Sequence, residues 1–170
     1  EEVREYLPAR NRPGQLRQVM VALERPAAGR GTNLERPLER IASLVRRRGL
    51  MVLISDFLAP VAELEHRLTA LAAGGHEVEI FQIRDPAERA LGVESPALLE
   101  DAETGRTLYV DPAAVRAAYE QRRRAHDAAL AEMCRRMGVG RMELETNQPL
   151  EFALLDFVQQ RQRRGRLVRR

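Results

Sequence analysis

The stretch Leu50-Met51-Val52-Leu53-Ile54-Ser55-Asp56 decides how this sequence is read. A continuous apolar run with no polar alternation is what a strand buried on both faces requires, and such strands belong to parallel sheets covered by helices. The flanking sequence agrees. Ala62 to Ala73 places Leu64, Leu68 and Leu71 at helical spacing and stops at Gly74-Gly75. Val78 to Ile83 then reads as a second strand. Strand, helix and strand in this order form a βαβ unit, which implies a parallel sheet with a right-handed crossover.

The pattern extends in both directions. Leu34 to Arg48 reads as a helix ending at Gly49, with Pro37 tolerated in its first turn. Arg12 to Leu23 is another helix, and the alternating stretch Val3-Arg4-Glu5-Tyr6-Leu7 reads as an edge strand. After the second parallel strand, Leu98 to Glu103 and Arg106 to Val110 flank Thr104-Gly105 as a β-hairpin insertion. Asp111-Pro112 opens the longest helix, which runs to Met137 and stops at Gly138. Arg141 to Glu145 is the last strand and Pro149 to Gln160 the last helix. The expected architecture is a doubly wound, mostly parallel α/β sheet over residues 1–160, followed by an unstructured Arg-rich tail over 161–170. A sheet of this kind normally begins with a central apolar strand and its crossover helix. Nothing before Arg12 supplies them, so the reading is of an N-terminally truncated domain.

Composition narrows the function classes. With 44% hydrophobic and 31% charged residues the chain is that of an ordinary globular protein. Aromatics make up 4% and Trp is absent, which argues against a base-stacking platform. The net charge of +3 is uneven, because the last ten residues hold six Arg and no acid. Without them the body carries 22 basic residues against 25 acidic. A specific nucleic-acid binder carries its basic patch on the fold itself, so specific nucleic-acid binding is not expected. The lone Cys134 forms no internal disulfide and fits a reducing, cytoplasmic setting. No apolar run reaches the roughly 20 residues that span a bilayer.

Ligands of open α/β sheets bind outside the carboxyl ends of the strands. Asp56 leaves the Leu50 strand at such a point, where its carboxylate can hold a cation. Equally, it can cap the next turn or close the loop Asp56-Phe57-Leu58-Ala59-Pro60. Thr32, in the loop Gly29-Arg30-Gly31-Thr32-Asn33-Leu34-Glu35, is a hard oxygen ligand suited to Mg²⁺ on the same sheet edge. Thr32-x-x-Glu35 is also a capping box, which needs no ligand.

A resemblance bears on both residues. Gly31-Thr32-Asn33-Leu34 opening a helix, followed by Arg48-Gly49 and the run Leu50 to Leu58, resembles the bacterial family called domain of unknown function 58. Tyr6-Leu7-Pro8, Gly75-His76-Glu77-Val78 and Leu108-Tyr109-Val110-Asp111-Pro112 resemble it too, so the likeness runs over residues 1–160. The resemblance implies a von Willebrand factor A-like, Rossmann-like fold with a metal-ion-dependent adhesion site. In that site a metal is held by an Asp-x-Ser-x-Ser motif, a Thr from a second loop and an Asp after a later strand. Thr32 and Asp56 match the second and third elements, whereas Asp-x-Ser-x-Ser occurs nowhere in the sequence. The resemblance thus implies a non-enzymatic protein-interaction domain with a partial Mg²⁺ site. It also implies a MoxR-type AAA+ ATPase as partner in a chaperone-like or assembly system.

Other chemistries find little support. His66, His76 and His126 lie far apart, with His66 and His126 reading as helix-surface residues, and one Cys makes a zinc site improbable. Ser55 has no recognisable base, there is no Gly-x-Ser-x-Gly elbow, and the absence of Lys excludes a Walker site. The arginine triplets Arg46 to Arg48 and Arg122 to Arg124 read as solvated helix faces. Two rivals stay open: a Mg²⁺-dependent phosphate-handling enzyme using Asp56, and a basic tail that binds nucleic acid or anionic membrane.

Overall fold

The computed structural model describes residues 5–25, 35–45, 48–89, 91–101 and 104–168. The chain divides into two compact units, one formed by residues 1–47 with 100–107, the other by 48–99 with 108–170.

In the first unit, helix α1 covers Gln15–Leu23 and α2 covers Glu35–Leu44. The first begins three residues later than expected because Gly14, at φ 85°, turns the chain left-handed immediately before it. Glu5 to Leu7 forms no strand, contrary to the expected edge strand; Val3 and Arg4 lie outside the described residues. Alternation alone does not make a strand when no neighbour pairs with it. Here the segment is held instead by a side-chain bond from Gln15 to Pro8 O at 2.9 Å and an Arg25–Glu5 ion pair at 2.8 Å.

The second unit is built on three parallel strands in the order β1-β2-β5, namely Leu50–Ser55, Glu77–Arg84 and Gly140–Glu145. The register pairs Leu50 with Glu77 and Glu79 with Gly140. Helix α3, Val61–Ala73, joins β1 to β2, as the leucine spacing predicts, and buries Leu64, Leu68 and Leu71. After the short α4, Pro86–Arg89, come β3, Ala97–Glu100, and β4, Thr107–Val110, paired as the expected hairpin.

Helix α5, Pro112–Met137, returns the chain to β5 and buries Leu130, Met133 and Cys134. Its ends follow the sequence. The Asp111 side chain accepts from the Ala113 N–H at 3.0 Å, Pro112 fills the first helical position, and Gly138 at φ 68° ends it. Helix α6 spans Leu150–Val168 and so continues through most of the tail expected to be unstructured. Arginine is a good helix former, and cations suit a helix C-terminus.

Side chains alternate across a strand, so consecutive residues of β2 face opposite layers. Phe81 meets Phe157 of α6 edge-on, with ring centroids 5.0 Å apart. Ile80, 0% exposed, Gln82 and Arg84 therefore face the side of α3 and α5. The architecture is that of a Rossmann-like α/β fold. One departure concerns β1. The sequence predicts burial on both faces, yet Leu50, Val52 and Ile54 are exposed, Ile54 at 66%. Among the described residues β1 pairs only through β2, and α6 covers the Phe81 side of the sheet at β2 and β5.

Candidate functional site

The carboxyl ends of β1 and β2 open onto a cavity of about 320 Å³. Asp56 and Leu58 line it from the turn after β1, Gln82 and Arg84 from β2, and Tyr119, Arg122, Arg123, His126 and Asp127 from α5. The α5 residues recur at helical spacing (119, 122–123, 126–127), so one face of the helix roofs the strand ends.

Asp56 is exposed and sits in a closed turn. Its Oδ1 accepts from the Ser55 hydroxyl at 3.2 Å and from the Leu58 N–H at 3.3 Å, while its backbone carbonyl accepts from the Gln82 amide at 3.3 Å. The loop-closing alternative for Asp56 is thus realised. It does not cap α3, whose N-cap is Pro60. The next residue, Phe57, is 2% exposed and holds φ at 56°, a left-handed conformation that non-glycine residues rarely adopt. Such strain costs on the order of 1–3 kcal/mol and persists where the surroundings over-determine it. Three features do so here: the buried phenyl ring, the Phe57 N–H donating to Ser55 Oγ at 3.2 Å, and His126 Nε2 lying 2.8 Å from Phe57 O. A carbonyl can only accept, so that nitrogen carries the proton. His126 is therefore half-buried and structural, not the free surface residue the sequence suggested.

The floor of the cavity is charged. Arg84, with its side chain 8% exposed, pairs with Asp127, and its Nε lies 3.6 Å from Glu143, an ion pair beyond hydrogen-bond reach. Arg123 also donates to Asp127, at 3.2 Å. Arg141 donates to Gln82 Oε1 at 2.8 Å and pairs with Glu143. Burial alone would lower the Arg84 pKa; the bond to Asp127 and the nearby carboxylates outweigh it, and the value is raised. Burial first, and then Glu88, push the Tyr119 phenol up as well; its hydroxyl donates to Glu88 O at 2.7 Å.

Of the two residues predicted to hold metal, Thr32 lies outside the described residues, as does the rest of its loop up to Leu34. Asp56 can supply a carboxylate oxygen, because only Oδ1 is engaged in the turn. No group of three or more His, Cys, Asp or Glu side chains placed to hold a metal occurs among the described residues. The described residues thus fit one ligand of a cation site and do not complete it. Of the second arginine triplet, Arg122 and Arg124 are exposed as expected, whereas Arg123 is turned inward to Asp127. No helix among the described residues is long and apolar enough to cross a membrane.

Comparison with known proteins adds a family. The sequence profile of "Protein of unknown function DUF58" matches residues 1–129. An uncharacterized protein of Mycobacterium bovis is 34% identical over 155 residues, covering 90% of this chain and 47% of its own, and one of Mycobacterium tuberculosis matches to the same extent. An uncharacterized protein of Mycobacterium avium is 33% identical over 156 residues, covering 91% of this chain and 90% of its own. The chain thus spans about half the length of the first two relatives. No solved structure matches it. With this cavity at the ends of its strands, the chain belongs to the DUF58 family.

Proposed function

We propose that this chain is a non-enzymatic protein-interaction domain in which Asp56, together with Thr32, supplies part of a metal-ion-dependent adhesion site of the von Willebrand factor A-like type. The partner would be a MoxR-type AAA+ ATPase in a bacterial chaperone-like or assembly system. The observation that carries the reading is the Asp56 turn. A carboxylate with one engaged oxygen leaves the carboxyl end of a parallel strand, on a backbone held strained by His126 and the buried Phe57 ring. Mg²⁺ favours carboxylate, hydroxyl and water oxygens, and Asp56 and Thr32 are side chains of that kind. The bound ion would present an open coordination position to a carboxylate of the partner.

The enzymatic alternative is less well supported. Ser55 Oγ is engaged by Asp56 and by the Phe57 N–H, and the imidazole at this turn is bonded to a backbone carbonyl. Glu88 and Asp127 share the cavity with Asp56, as a phosphate-handling site would need, but Asp127 is already paired with two arginines. In the full-length protein, Mg²⁺ or Mn²⁺ should raise Tm, and Asp56→Ala or Thr32→Ala should remove the increase. Asp56→Ala should also weaken binding to the ATPase. An unchanged Tm across a metal titration would refute the metal site, and a phosphatase activity lost in Asp56→Asn would favour the enzyme.

A further inference from the structure

We propose that the cavity between the Asp56 turn, the end of β2 and the first half of α5 binds a small oxyanion, a carboxylate or phosphate group, through Arg122 and Arg123 at its wall and Arg84 at its floor.

Arg84 is costly where it stands. A sheet residue facing a helix layer is ordinarily apolar, and a buried ion pair rarely stabilises more than the apolar residues that could replace it. Buried charges that line a cavity point to binding instead. Carboxylate partners are unevenly shared among the cavity's arginines. Asp127 is the carboxylate within hydrogen-bond reach of both Arg84 and Arg123, with Glu143 standing farther from Arg84 at 3.6 Å. Arg122, exposed on the same wall, has no ion pair or hydrogen bond among the described residues.

Hydrogen bonding around these arginines is also unmet. Arg84 Nε and Arg123 Nε are both buried without a hydrogen-bond partner. Buried donors are nearly always satisfied, and a guanidinium donates best to carboxylate or phosphate oxygens. Both atoms are closed to solvent, and Arg84 Nε lies 3.6 Å from Glu143, so an oxyanion in the cavity would gain them as donors only by drawing the two guanidiniums toward it. Leu58 and the Tyr119 ring give the walls an apolar share, which suits a carboxylate or phosphate ester with a short carbon body.

Two carboxylates on the lining, Asp56 and Glu88, oppose an anion. They make the inference sharply testable, because each charge has a predicted sign of effect. The cavity shares Asp56 with the proposed metal site, so the measurement is made in EDTA, where an anion held through a metal ion would be lost and one held by the arginines would remain. The full chain, labelled with ¹⁵N, is titrated separately with inorganic phosphate and with glutarate while the arginine Nε–H resonances are followed. Saturable shifts of the Arg84 and Arg123 signals are expected. Arg122→Ala, at an exposed position that leaves Tm unchanged, should weaken binding about tenfold, the worth of one hydrogen bond to a charged group. Glu88→Gln should tighten it.

Binding of phosphate alone or of glutarate alone would each support the site and identify which source of oxyanion it takes. No saturable shift with either anion up to the order of 10 mM, where even weak sites fill, would overturn the proposal. Binding that survives Arg122→Ala with Arg123→Ala, but is lost with Arg163→Ala and Arg164→Ala, would equally overturn it by placing the anion on the C-terminal arginines.

Discussion

At the scale of single residues, Gly140 is fixed by its neighbour across the sheet. A Cβ built there would run into the Glu79 carboxylate, and Glu79 is itself buried. Gly140→Ala should therefore destabilise the chain by about 1–3 kcal/mol, the usual cost of overpacking, measured by denaturant unfolding. Combined with Glu79→Ala, the two effects should fall short of their sum, since the clash needs both side chains. Cys134 offers a second check. Burial raises its thiol above the ordinary value of 9.0, because the thiolate is disfavoured there. A folded-state pKa above the unfolded one means that full stability holds below the unfolded value and declines as pH rises through it. Native protein should thus resist alkylation at neutral pH, and Cys134→Val should flatten the fall of Tm on the alkaline side.

At the scale of elements, α5 carries both the roof of the cavity and the link to β5, so its terminus matters for both. Asp111→Ala removes the bond to the Ala113 N–H and should cost about 1 kcal/mol, read as a lower unfolding midpoint with an unchanged slope. These caps were legible in the sequence, as were the βαβ unit and the hairpin, because each rests on residues a few positions apart; the Asp56 turn was one of several readings left open. The charged floor was not. Arg84 and Asp127 are 43 residues apart, and His126 meets Phe57 across 69. In sequence, Arg123 reads as one of three solvated arginines, and only packing turns it inward. Gln82 and Arg84, polar residues two apart in an apolar strand, were the one available signal, since they mark a single face of β2. The end of α6 was missed for the opposite reason: a dense arginine run reads as a disordered tail, although arginine favours helix.

At the scale of the whole molecule, the exposed apolar row Leu50, Val52 and Ile54 on β1 is the largest departure from the sequence expectation. Edge strands of soluble proteins are commonly guarded by charge or proline, and Leu50 to Ser55 contains neither. The isolated chain should associate as its concentration rises, seen by light scattering, and Ile54→Lys should reduce that association without lowering Tm.

The order of pairing in the sheet has a consequence in time. β1 and β2 are joined by one short helix, whereas Glu79 meets Gly140 only after α5 has returned the chain. Contacts between distant positions form late, because the intervening chain must first give up its freedom. During synthesis, β1, α3 and β2 can come together while α5 is still being made. Gln82 and Arg84 then wait in water until Asp127, Arg141 and Glu143 emerge, and the cavity is among the last features the growing chain acquires.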